Sequence, residues 1–143
     1  MTAVDIRFRF EQAIATFEMA DVDCQLAIIW RIYDTLGQAF ATVAPAALFS
    51  QAVQQLIQQL RHVRRSDRVD ILRDLMAGAD TRFTQAYEAL DVNMRLAFWH
   101  RLVHQTTFSW SSPAPTPESQ TLLSHLDSMG LNERLYFLKR VLA

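Results

Sequence analysis

Apolar residues recur at helical spacing along almost the whole chain, and polar punctuation divides the pattern into seven or eight segments. The first runs from about Thr2 to Phe17. A second begins at Asp21 or Asp23, either of whose carboxylates can accept first-turn N–H groups, and runs to about Val43, where Pro45 ends or bends it. Within it Leu26, Ile29, Trp30, Tyr33, Gly37 and Phe40 follow three- and four-residue steps and share one face. Phe49, Val53, Leu56, Leu60 and Val63 make a narrower stripe, the mark of a helix lying lengthwise on another.

Ser66 is expected to cap the next helix and Gly78 to close it, with Asp80 and Asp91 capping the two that follow. Phe83, Tyr87 and Leu90 mark the apolar face of one, and Leu96, Phe98, Trp99, Leu102 and Val103 that of the other, with His100, Arg101 and His104 on its polar side. The segment FSWSSPAPTP, Phe108 to Pro117, breaks the period and predicts a long connection, in which Thr116 and Pro117 supply an N-cap and a first helical residue. Gly130 and Asn132 separate two short final helices, the last burying Leu135, Leu138, Val141 and Leu142 and exposing Lys139 and Arg140.

Composition narrows the picture. With 143 residues, 50% of them apolar, and only three Gly and four Pro, one all-α domain over residues 1–143 is expected. The net charge of −1 supplies no general attraction to nucleic acid. Cys24 is the single cysteine, which excludes an internal disulfide and a thiolate cage. The N-terminus is too charged for a signal peptide, and no stretch approaches the roughly 18 uncharged apolar residues of a membrane span, so a cytoplasmic protein is expected.

Two segments carry more than a fold. DCQLAIIWRIYDTLGQ (Asp23–Gln38) and NMRLAFWHRL (Asn93–Leu102), with Ala44–Pro45, Asp74–Leu75, Ala79–Thr81 and Tyr87 between them, resemble the N-terminal domain of the orange carotenoid protein family of cyanobacteria. The resemblance runs without a gap from about Ala20 to Gln105 and resumes after a deletion of about five residues. It implies two interleaved four-helix bundles with a keto-carotenoid, echinenone- or canthaxanthin-like, between them. It also implies pigment contact at Leu26, Ile29, Trp30, Tyr33, Leu96 and Trp99. The chain departs from the family at Ala46, where a Gly is usual, at Leu72 and Thr106, where Met lines the pigment, and at His100, where an aromatic residue follows the Trp.

The physics suits such a ligand. A helix of about 20 residues spans roughly 30 Å, enough to run alongside most of a polyene. Burying that rod contributes on the order of 10 kcal/mol before ordering costs. Without the resemblance, the same aromatics would be taken as ordinary core filling.

No second domain of the ketosteroid-isomerase type follows in this sequence, so the expected role is that of a stand-alone helical carotenoid protein without a light switch. It would act as a quencher of singlet oxygen or of phycobilisome excitation, or as a carotenoid carrier, at the thylakoid surface or free of it. The alternative is a pigment-free helical interaction module docking on phycobilisomes or another photosynthetic complex. Candidate docking residues are Arg61, Arg64, Arg65 and Arg68 of RHVRRSDR, with Asn93 and Lys139, whose family counterparts meet the second domain or the antenna. A separate C-terminal-type carrier domain and a homodimer sharing one carotenoid are further possible partners. His100 and His104 have the one-turn spacing of a metal pair, but Arg101 lies between them and no nearby carboxylate completes a site. No phosphate loop, nucleophile elbow or Cys–His pair indicates catalysis.

Overall fold

The computed structural model describes residues 3–37, 39, 47, 50–105 and 117–143, with the side chains of 3–8, 105 and 118 left aside. Helices account for nearly all of it: α1 (Ala3–Met19), α2 (Val22–Leu36), α3 (Gln51–Arg61), α4 (Arg65–Ala77), α5 (Arg82–Glu88), α6 (Val92–Gln105), α7 (Pro117–Asp127) and α8 (Leu131–Leu142). The all-α architecture matches the expectation. Phe40, Ala46, Phe49, Thr106 and the connection from Phe108 to Thr116 lie outside the described residues.

Several boundaries follow the predicted chemistry. Asp21 caps α2 by accepting the Cys24 N–H at 2.8 Å, and Asp91 caps α6 by accepting the Met94 N–H at 2.9 Å. Gly78 closes α4 in the left-handed region at φ +71°, and Pro117 opens α7. Others differ. The second helix stops at Leu36, well short of Val43, because Gly37 turns to φ +56° and ψ −130° while its N–H still reaches the Tyr33 carbonyl at 3.1 Å. Ser66 lies inside the first turn of α4, since Arg64 is already extended and its carbonyl accepts from Asp67 and Arg68. Thr81 caps α5, bonding the Thr84 N–H at 3.0 Å, whereas Asp80 accepts from the Gln85 side chain at 2.6 Å. Gly130 alone precedes α8, and Asn132 sits within its first turn.

The described helices fall into two groups of four. The first joins α1 to α7 and α8 and completes itself through α2; the second is built from α3 on α5 and α6, with α4 against α5. They meet where α2 packs on α4 and α6, and where α8 packs on α6. Position explains composition here. Along α2, Leu26, Ile28, Ile29, Ile32, Tyr33 and Leu36 are all buried, more than one face of the helix, and at the centre of α6 five consecutive residues from Leu96 to His100 are buried. A helix buried over more than one face belongs in the middle of a structure, and α2 and α6 are these two middle helices.

Basic side chains finish the open ends of helices. The Arg68 guanidinium donates to the carbonyls of Arg61 (2.8 Å) and Val63 (3.0 Å) at the end of α3. Arg134 donates to Leu126, Met129 and Asp127 at the end of α7. Arg95 reaches Glu88 at the end of α5 (2.7 Å) and Leu142 at the end of α8 (3.2 Å), tying one group of helices to the other. Each arginine places a cation among the carbonyls at a helix end, where its charge complements the helix dipole.

Candidate functional site

The junction of α2, α4 and α6 carries every described residue for which pigment contact was expected. Leu26, Ile29, Trp30 and Tyr33 stand on α2, Leu72 on α4, and Leu96 and Trp99 on α6. All but Trp30 are at most 2% exposed, and Trp30 is partly buried against the same core. Ala46 and Thr106 lie outside the described residues.

Hydrogen bonds cross the junction: Arg73 of α4 donates to the Asp23 carboxylate of α2 at 2.7 Å, and two more join α2 to α6. Tyr33 donates its hydroxyl to the Leu96 carbonyl at 2.9 Å, and His104 Nε2 lies 2.9 Å from the Tyr33 carbonyl. The His104 contact gives the last turn of α2 a side-chain partner on α6. Burial, with Tyr87 a smaller cause, pushes the Tyr33 hydroxyl well above the ordinary phenol range, so it stays a neutral donor.

Trp99 is fixed from the other side. Its indole Nε1–H donates to the Tyr87 hydroxyl on α5 at 2.9 Å. Tyr87 meets Trp99 edge-on at 6.4 Å and Phe98 at 5.6 Å, Phe98 meets Trp99 at 5.4 Å, and Phe83 closes the cluster on Phe98 at 6.0 Å. The Arg95 guanidinium lies over the Tyr87 ring, 5.4 Å from its centroid. Burial pushes the Tyr87 hydroxyl up to about 12, against the opposing effects of the Trp99 hydrogen bond and the Arg95 charge.

His100 overturns its expected place on a polar face. It is 1% exposed, because α6 is packed by α2, α3 and α8 and keeps no solvent side at its middle. Its ring lies 6.5 Å from that of Tyr33 and 4.8 Å from that of His104. Burial, and then the neighbouring His104, lower its pKa to about 4, so the imidazole is neutral. No group of three His, Cys, Asp or Glu side chains suited to a metal ion occurs among the described residues.

The six docking candidates are spread over the surface. Arg61, Arg64, Arg65, Asn93 and Lys139 are exposed, while Arg68 is half-buried and its guanidinium holds the end of α3. Arg101 adds a cation beside Arg61: burial, and then the Arg61 charge, lower its pKa. Three contributors to the site are not expected in these roles from sequence. Tyr87 reads as a core position and as part of the resemblance, not as the acceptor that a buried indole N–H requires. His104 reads as a polar-face residue and is weighed as a metal partner of His100, and Arg95 is not singled out; spacing does not reveal that their targets are distant carbonyls.

A family model described as "Orange carotenoid protein, N-terminal" matches residues 5–143. An orange carotenoid-binding domain-containing protein of Nostoc sp. is 26% identical over 135 residues, covering 91% of this chain and 79% of the relative. The orange carotenoid-binding protein of Synechocystis sp. is 28% identical over 102 residues, which are 71% of this chain but 32% of that protein's length. The same fold occurs in the red carotenoid protein of Anabaena (Nostoc) sp. binding canthaxanthin, with a TM-score of 0.75 at 23% identity, covering 93% of this chain and 94% of the other.

Proposed function

The chain belongs to the orange carotenoid protein N-terminal family, and from that membership we propose that it is a non-enzymatic carotenoid-binding protein with a photoprotective or carrier role. The observation that carries the proposal is that Leu26, Ile29, Trp30, Tyr33, Leu72, Leu96 and Trp99 stand on α2, α4 and α6, the helices through which the two groups meet, and that all but Trp30 are buried there. These residues fit an apolar rod. They offer aliphatic walls and aromatic faces, and the polar atoms of Tyr33 and Trp99 are already bonded within the protein, leaving ring surfaces rather than donors for a ligand. A bound carotenoid supplies low-lying electronic states through which excitation energy is lost as heat. The protein's own residues hold the rod straight, exclude water and fix the surroundings of its end ring. No bond is made or broken.

The near-complete burial of the junction supports a step before binding. For a pigment to lie between the two groups, α2 and α6 must part, and the Tyr33–Leu96 and His104–Tyr33 contacts are among the polar links that would open. The same burial favours a second reading, a pigment-free helical module in which the aromatics are core. Expression in a keto-carotenoid-producing host, followed by purification and a visible spectrum, separates the two. Coloured protein with near-stoichiometric pigment supports the first, and colourless protein removes it.

For partners, we propose that the exposed Arg61, Arg64 and Arg65 form a docking surface for an acidic protein such as the phycobilisome, with Asn93 and Lys139 as outlying contacts. Exchange of pigment with a separate C-terminal-type carrier, or sharing of one pigment in a homodimer, accords with a rod that is longer than the junction helices.

A further inference from the structure

We propose that Tyr87 is a positioning residue for the indole of Trp99, and that through Trp99 it sets the orientation of the aromatic face presented to a pigment at the junction. The proposal rests on the carotenoid-binding reading only for its second half. The geometry is that of a side chain held at several points. An indole has two side-chain torsions, and three contacts restrict them: the Nε1–H bond to Tyr87 at 2.9 Å, the Tyr87 ring edge at 6.4 Å and 78°, and the Phe98 ring at 5.4 Å and 79°. Trp99 is 0% exposed, so without Tyr87 its N–H would have no water to turn to.

Tyr87 is held in turn. It sits in the last turn of α5, is 7% exposed, and has the Arg95 guanidinium over its ring at 5.4 Å. Arg95 is itself fixed by the carbonyls of Glu88 and Leu142. The Tyr87 hydroxyl is neutral, so its acceptor role does not change over the range in which the protein is handled.

The bond also lies in the right place to survive ligand entry. Tyr87 and Trp99 belong to α5 and α6, both in the second helix group, whereas the bonds of Tyr33 cross between groups. Parting α2 from α6 would break the crossing bonds and leave the Tyr87–Trp99 bond intact. An aromatic plane held rigidly beside a conjugated end ring fixes the twist of that ring against the polyene, and the twist sets the length of conjugation.

The test compares wild type, Tyr87→Phe, Trp99→Phe and the double variant, each made in pigment-free cells and in keto-carotenoid-producing cells. In pigment-free protein, Tyr87→Phe is expected to change the near-ultraviolet circular dichroism of the indole band while the far-ultraviolet spectrum is kept. In loaded protein it is expected to keep wild-type pigment stoichiometry but shift the visible maximum and weaken the visible circular dichroism. Adding Tyr87→Phe to Trp99→Phe, which has no N–H to hold, should change neither visible signal. An unaltered indole band in a folded Tyr87→Phe protein overturns the hold on Trp99. An altered indole band with an unaltered pigment spectrum overturns the transmission to pigment. Should Tyr87→Phe fail to fold, Trp99→Phe, which leaves no unpaired N–H, must still shift the visible spectrum, and an unshifted spectrum overturns the proposal. Colourless wild type instead sinks the carotenoid-binding reading and the pigment half with it, and the indole band still decides whether Tyr87 holds Trp99.

Discussion

His100 shows how one buried imidazole couples the α2–α6 junction to pH. Its ordinary pKa of 6.5 falls to about 4 in the fold, where Tyr33 and His104 surround it and burial penalises the charged form. Between those two values the unfolded chain binds a proton that the fold rejects. This contribution to stability is therefore complete above about pH 6.5, declines as pH falls, and levels out below about pH 4. Its ceiling is on the order of 3 kcal/mol. Urea titrations of wild type and His100→Phe across that interval should give a steeper loss of stability for wild type, and parallel curves would show that His100 does not titrate with folding. The sequence made the burial of Tyr33 and Trp99 legible, because each falls at helical spacing among aliphatic neighbours. It did not disclose the burial of His100, since periodicity assigns one polar side to a helix and α6 has none at its centre. Nor could spacing reveal that Tyr33 bonds a carbonyl 63 residues away.

Among elements, α6 does most to hold the others in place. Arg95 near its start grips α5 and α8, and His104 near its end meets the last turn of α2. Arg95→Ala removes two charge-assisted bonds and the contact with the Tyr87 ring, for an expected loss of about 3 kcal/mol. Arg95→Lys keeps a charge but lacks the planar fork needed to reach two carbonyls at once, so chemical denaturation should place it well below wild type. A lysine variant as stable as wild type would mean that one of the two bonds contributes nothing. Helix starts were readable from sequence where a carboxylate precedes an apolar run, as at Asp21 and Asp91. They were misread where the cap is formed by extended backbone, as at Arg64, or by the hydroxyl of Thr81 next to a more conspicuous Asp80. The early end of α2 follows from the positive φ of Gly37, a residue whose place on the apolar stripe suggested continuation.

At the scale of the molecule, the two helix groups meet through α2 and α6, and the same arginine-rich turn serves both the fold and the proposed docking surface. The division of labour can be tested. Arg64→Glu with Arg65→Glu places acidic residues at the start of α4, where a helix tolerates them, and should leave thermal stability close to wild type. Arg68→Glu removes the bonds to Arg61 and Val63, sets a negative charge on those carbonyls, and should lower stability measurably. Pull-down of phycobilisomes should then weaken for the double variant without a change in its melting curve. Unaltered capture would move the docking surface elsewhere. The arginine cluster was visible in sequence as four positive charges, but only packing separates the one consumed by the fold from those left exposed.

The arginine-capped ends have a kinetic consequence. A helix end finished by its own backbone can fray alone, and its amides then exchange with solvent at little cost. Here the end of α7 is held from α8, and the ends of α5 and α8 are both held from α6. Local opening at any of these ends requires a side chain on another helix to let go. The usual independent fraying of helix termini is thereby replaced by openings shared between neighbouring helices.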